Sequence, residues 1–150
     1  MVQKAFSLVE LVIVAAVFGI MAAIVVPLLQ SQSTQAKEAV AKDHLRILRS
    51  AIEVYTVQHR GIPPGYSGDN PTNTPSSDVF LTQMVTSGNY LKKMPENPFN
   101  NIETIRIIGN GESFPQNPPE GYGWVYQPAT MTIRLSWSGS DADGIRYFDY

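Results

Sequence analysis

No cysteine occurs in the 150 residues. That excludes a disulfide framework, a thiolate metal site and a thiol redox centre, although it leaves the compartment open. A surplus of positive charge is missing too. The formal net charge is −2, so no basic field points to nucleic acid as the main partner. Glycine and proline are nearly absent from the front of the chain. They total 22, and only Gly19 and Pro27 precede residue 60. Catalytic signatures are lacking: there is no Gly-x-Ser-x-Gly, no phosphate-binding glycine loop and no His-Glu-x-x-His. His44 and His59 are about four helical turns apart, too far to share a metal, and are expected at the surface.

What is present divides the chain in two. An Ala/Val/Leu-rich front is followed by a turn-rich rear, and the total length suits one compact domain. The run Phe6 to Leu29 is almost wholly apolar, and from Leu11 to Leu29 it carries no charge. As a helix it would span roughly 36 Å, enough for a hydrocarbon core of about 30 Å. A cleaved secretory signal would have a longer basic region and a shorter apolar core, and Ala15-Ala16 and Ala22-Ala23 are weak cleavage sites. A buried core helix is disfavoured by the length. A membrane anchor is the reading that fits.

Glu10 is the one carboxylate in this run. An ionisable side chain at the centre of a membrane helix costs about 2.5–3.5 kcal/mol on insertion scales, so it calls for a partner or a purpose. Close to the helix end, snorkelling to the interface is the plainer account. Gly19 and Pro27 interrupt the run: proline lacks an amide hydrogen and deprives Ala23 of a helical partner, so the segment between them is expected to bend or soften. Lys37, Lys42, Arg46 and Arg49 follow the anchor, and a simple positive-inside count would place the rear in the cytoplasm.

Beyond Gln30 the pattern is amphipathic. Ala36, Val40, Ile47, Leu48, Ala51, Ile52 and Tyr55 recur at steps of three and four, with charged residues largely opposite. One helix is expected from about Ser7 to Gln58, ended by Arg60-Gly61 and Pro63-Pro64. Residues 61–77 read as loop. Ser76 or Ser77 can cap a short helix from Asp78 to Thr86, burying Val79, Phe80 and Met84. Glu103 to Ile108 is a candidate strand followed by a Gly-Asn-Gly hairpin turn. Gly123 to Tyr126 and Met131 to Trp137 form a hairpin across Gln-Pro-Ala-Thr. Tyr122, Trp124, Tyr126, Trp137, Tyr147, Phe148 and Tyr150 are expected to build a small core. The expected fold is α+β: a long amino-terminal helix, membrane-spanning in its first half, packed on a small antiparallel sheet.

The order Lys-Ala-Phe-Ser-Leu-Val-Glu before an apolar helix resembles the signal of the type IV pilin and pseudopilin superfamily. The resemblance implies cleavage by a prepilin peptidase between Ala5 and Phe6, N-methylation of Phe6, an assembly role for Glu10, and helix softening at Gly19 and Pro27. Ala5 departs from the family's usual glycine. Tyr55 with Gly61-Ile-Pro-Pro, Gly88-Asn-Tyr-Leu-Lys-Lys, Met94-Pro-Glu-Asn-Pro-Phe and Gly123-Trp-Val-Tyr resemble the major pseudopilin of type II secretion systems. That family's topology implies a periplasmic location from about residue 31 onward and outweighs the charge count.

In the segment Ser-Gly-Ser-Asp-Ala-Asp-Gly, Asp141 and Asp143 supply hard oxygen donors one residue apart, with Gly144 for a sharp turn. The pattern is not an EF-hand, and an acidic surface turn would look the same. The resemblance implies calcium here, with Asp149 and a main-chain oxygen of Ser138 or Ser140 as further candidates. In that branch calcium replaces the disulfide staple of many pilins.

The expected function is a structural, non-enzymatic subunit of a type II secretion pseudopilus. Implied partners are copies of itself, minor pseudopilins, the peptidase, an inner-membrane assembly platform and, before assembly, membrane lipid. No nucleic acid is expected. The chain divides into leader (1–5), filament-core helix (6–29), amphipathic continuation (30–60) and periplasmic domain (61–150). It would sit in the inner membrane as a single pass and then in a periplasmic filament. The alternatives are a type IV pilus subunit and a membrane-anchored enzyme or binding protein.

Overall fold

The computed structural model describes residues 7–150, apart from the side chains of residues 26–31. Ala5 and Phe6 lie outside the described residues. The chain divides into two compact units, Met1–Ala36 and Lys37–Tyr150.

Helix α1 spans Leu8–Gln58 and is unbroken across Gly19 and Pro27. In the first unit it carries an apolar stretch, Leu8–Val25, with mean hydropathy 2.8 and none of it buried. In the second unit its packed stripe is Ala41, Leu45, Leu48, Ile52 and Tyr55, at steps of four and three. That spacing keeps every member on one face of a 3.6-residue helix. Ala36, Val40 and Ile47, read from the sequence as part of the same apolar face, are exposed. The helix has two apolar stripes, and the domain covers only the one running through Leu45 and Leu48.

The loop after α1 turns at Arg60 and Gly61, both with positive φ. Helix α2, Ser77–Leu81, starts at Ser76, whose side chain accepts from the Val79 amide and so satisfies a free helix-end donor. A wider π-type turn, Thr82–Thr86, continues it. Phe80 and Met84 point into the core, whereas Val79 is only half-buried.

Strands β1 (Ile105–Ile107), β2 (Trp124–Gln127) and β3 (Thr132–Leu135) form one sheet in that order. The β2–β3 hairpin matches expectation, with Trp124 opposite Leu135 and Tyr126 opposite Ile133. The sheet is not wholly antiparallel: β1 runs parallel to β2. Gly109-Asn110-Gly111 therefore opens a crossover rather than turning a hairpin. Pro115, Pro118 and Pro119 follow it and lack the amide hydrogens a paired strand needs, so the chain carries over before it pairs again. Central β2 is buried along its whole length. It is preceded by Gly123, where a Cβ would stand 2.0 Å from the Ile102 carbonyl oxygen, so only glycine fits the close approach.

Asn97 and Trp124 tie the connecting segment to the sheet. Trp124 Nε1 donates to the Pro95 carbonyl at 2.8 Å. Fully buried Asn97 donates to Gly123 and Ser136 carbonyls and accepts from the Phe99 amide.

Candidate functional site

Two places in the chain carry candidate chemistry. At the front, Glu10 lies in the first turn of α1, where a negative charge meets the positive end of the helix dipole. It is exposed, and so are its apolar neighbours Val9, Leu11 and Val12. Gly19 is exposed mid-helix, and a Cβ there would meet nothing within 4 Å. Pro27 lies in the helix, but its side chain is outside the described residues, as are the leader residues Ala5 and Phe6.

At the rear, Asp141 is the centre of a compact network. Its Oδ1 accepts from the amides of Asp143 (3.0 Å) and Ile145 (2.9 Å). Its main-chain carbonyl accepts from the Gly144 amide at 3.1 Å, and Gly144 has φ of 80°, a conformation glycine adopts without strain. An aspartate binding its own backbone two residues on is an Asx turn, so the Asp-Ala-Asp-Gly pattern is used to fold the loop onto itself. Asp141 Oδ2 accepts from the Tyr150 hydroxyl at 2.7 Å and lies 3.9 Å from Lys42 Nζ, with 4% of the Asp141 side chain exposed. The Tyr150 hydrogen bond is the main influence holding the Asp141 carboxyl below the ordinary carboxylate range. The loop amides and Lys42 add to it, against the opposing effect of burial.

The other calcium candidates are not gathered around Asp141. Asp149 pairs with Arg134 at 3.1 Å and Arg146 at 3.8 Å. Asp143 is exposed, and Ser140 forms a bridge to Arg146. Among the described residues no group of three or more His, Asp or Glu side chains comes together. Calcium takes six to eight oxygen ligands. A donor set with one carboxylate already filled and another neutralised by two guanidinium groups does not fit it.

The histidines are less exposed than the sequence suggests. His44 Nδ1 lies 2.9 Å from the Glu96 carbonyl, which can only accept, so that nitrogen carries the proton. His59 stacks on Tyr55 with ring centroids 3.7 Å apart. A groove of about 720 Å³ is walled by Arg46, Ile47, Val54, Gly88 and Tyr90 among others, with no nucleophile–base pair in its lining.

Sequence reasoning missed Lys42, Glu38 and Arg49 as partners of the carboxy-terminal segment. Their one signal is the spacing 38, 42 and 49 on a single helix face, which becomes meaningful only once the tail is seen to lie there.

Comparison with known proteins bears on both ends. The prokaryotic N-terminal methylation motif matches residues 1–26. The chain is 32% identical over 104 residues to the type II secretion system core protein G of Pseudomonas aeruginosa, covering 66% of this chain and 70% of that one. It is 27% identical to the protein of the same name from Aeromonas hydrophila, covering 66% and 69%. Similarity extends to the type IV major pilin protein PilE1 of Neisseria gonorrhoeae, 29% identical over 73% of this chain and 60% of that one. No solved structure matches the chain. The amino-terminal motif, the bare apolar helix and the coverage of the P. aeruginosa protein together place the chain in the type II secretion core protein G family of pseudopilins.

Proposed function

We propose that this protein is the repeating structural subunit of a type II secretion pseudopilus, held in the membrane by one helix and then assembled into a filament that drives protein export. The observation that carries the reading is Leu8–Val25, an apolar stretch with no side chain buried in the subunit's own fold. Such a surface needs lipid or copies of itself to cover it. The similarity to core protein G proteins supports the secretion branch.

In this reading prepilin peptidase cuts between Ala5 and Phe6 and the new amine of Phe6 is methylated. Glu10 then neutralises that amine on a neighbouring subunit. In a dry filament core an unpaired charge is costly, so this pairing favours one stagger over others. Gly19 and Pro27 supply the backbone freedom that repacking from lipid to filament requires. The domain from about residue 31 onward lies in the periplasm, and the anchor crosses the inner membrane once. Minor pseudopilins and an inner-membrane assembly platform are the further partners, and nucleic acid is not among them. The role is structural rather than catalytic.

The direct test is to express the chain with a prepilin peptidase and read the mature terminus by mass spectrometry. Methylated Phe6 as the first residue is the expected result. A chain that keeps Met1, or is cut elsewhere, refutes the processing step. A second reading, a type IV pilus subunit, is favoured by the similarity to the Neisseria pilin. Complementation separates the two: restored export in a secretion mutant supports the first, and restored piliation alone supports the second.

A further inference from the structure

We propose that this chain closes its carboxy-terminal loop with an internal cation, the Lys42 ammonium, in place of a bound divalent metal. The inference stands on contacts within the unit Lys37–Tyr150 and does not depend on the filament reading. Three side chains on one face of α1 hold the tail. The Glu38 carboxylate accepts from the Tyr147 hydroxyl at 2.7 Å. Lys42 Nζ lies 3.9 Å from Asp141 Oδ2 and 4.5 Å from the centre of the Tyr150 ring. Arg49 donates to main-chain oxygens of Ile133, at 3.3 Å, and Tyr150.

A metal bound at Asp141 would have to displace this arrangement. An ionised carboxylate offers about four lone-pair positions. Two on Oδ1 are taken by loop amides, and Oδ2 receives the Tyr150 hydroxyl while facing Lys42. A divalent ion at Oδ2 would meet an ammonium group already placed there; the Asp141 carboxylate is covered while the Lys42 side chain is 56% exposed, so water weakens the like-charge repulsion without removing it. Lys42 also has a second attraction to the site, the face of the Tyr150 ring. The cation that pins the loop is thus part of the covalent chain and cannot be removed by a chelator.

Hydrogen exchange of the full-length protein in detergent tests this, read on tail peptides spanning residues 139–150 and on β2 as an internal control. Exchange is measured in excess calcium chloride and in excess chelator. Wild-type tail protection is expected to be the same in both. Lys42→Met is expected to speed tail exchange about threefold, the scale of an exposed ion pair together with a cation–π contact, without changing β2. Tyr150→Phe, which keeps Lys42, is the second variant and should loosen the tail to a smaller degree. Calcium that slows wild-type tail exchange overturns the proposal. So does a Lys42→Met tail as protected in chelator as the wild type. If Lys42→Met also loosens β2, the calcium response of the wild type and the tail exchange of Tyr150→Phe still decide.

Discussion

Asn97 Nδ2 donates to the Ser136 carbonyl oxygen at 3.2 Å, joining the Met-Pro-Glu-Asn-Pro-Phe segment to the chain just after β3. The same nitrogen donates to Gly123 at 3.1 Å, at the entry to β2. One side chain with no exposed surface therefore holds both ends of the hairpin in place. Asn97→Ala removes these bonds and leaves buried carbonyls with fewer donors. The expected loss is about 1–3 kcal/mol, read by denaturant unfolding of the full chain in detergent. A change within experimental error would show that the segment is held by packing alone.

Tyr126 presents the opposite case. Its hydroxyl is buried on β2, beside Phe80, with no hydrogen-bond partner. Burial pushes its ionisation far above the ordinary tyrosine value. Tyr126→Phe deletes the unpaired polar atom and keeps the ring. It should leave stability unchanged or raise it by about 1 kcal/mol. A clear destabilisation in the same denaturant assay would mean that the hydroxyl has a partner in solution.

Tyr147 gives the tail contact a pH dependence. Burial, followed by the Glu38 hydrogen bond, pushes its pKa up to about 12. A tyrosine in an unfolded chain ionises near about 10. Because the folded value is the higher one, the stabilisation is complete below about pH 10 and is lost as pH rises through 12. Wild type should therefore hold a constant advantage over Tyr147→Phe up to that lower limit, and the advantage should shrink above it. Unfolding curves of the two proteins at a series of alkaline pH values check this. A difference that stays flat throughout contradicts the assignment.

Much of the fold is legible from local chemistry. The helix expected over Ser7 to Gln58 is observed from Leu8 to Gln58, because its periodicity is uninterrupted and Arg60-Gly61 ends it. The Ser76 cap and the hairpin across Pro128–Thr130 were readable for the same reason. What failed depends on contacts distant in sequence. Nothing near Ile105 says that its partner strand will run parallel. Nothing near Ile47 says which of two apolar stripes the domain will cover. The Asp141 loop shows the limit most clearly. Alternate aspartates and a glycine suit both a metal loop and an Asx turn, and the contacts of Asp141 with Tyr150 and Lys42 are visible only once the tail is seen against α1.

The central claim is that the front of α1 is an assembly surface and that Glu10 gives it register. Filament formation by the Glu10→Ala variant, scored beside membrane insertion and processing in cells that carry the secretion machinery, tests it most directly. The account predicts an inserted and processed protein with mature Phe6 at its terminus and no filaments. Filaments as abundant as the wild type's from that variant would contradict it.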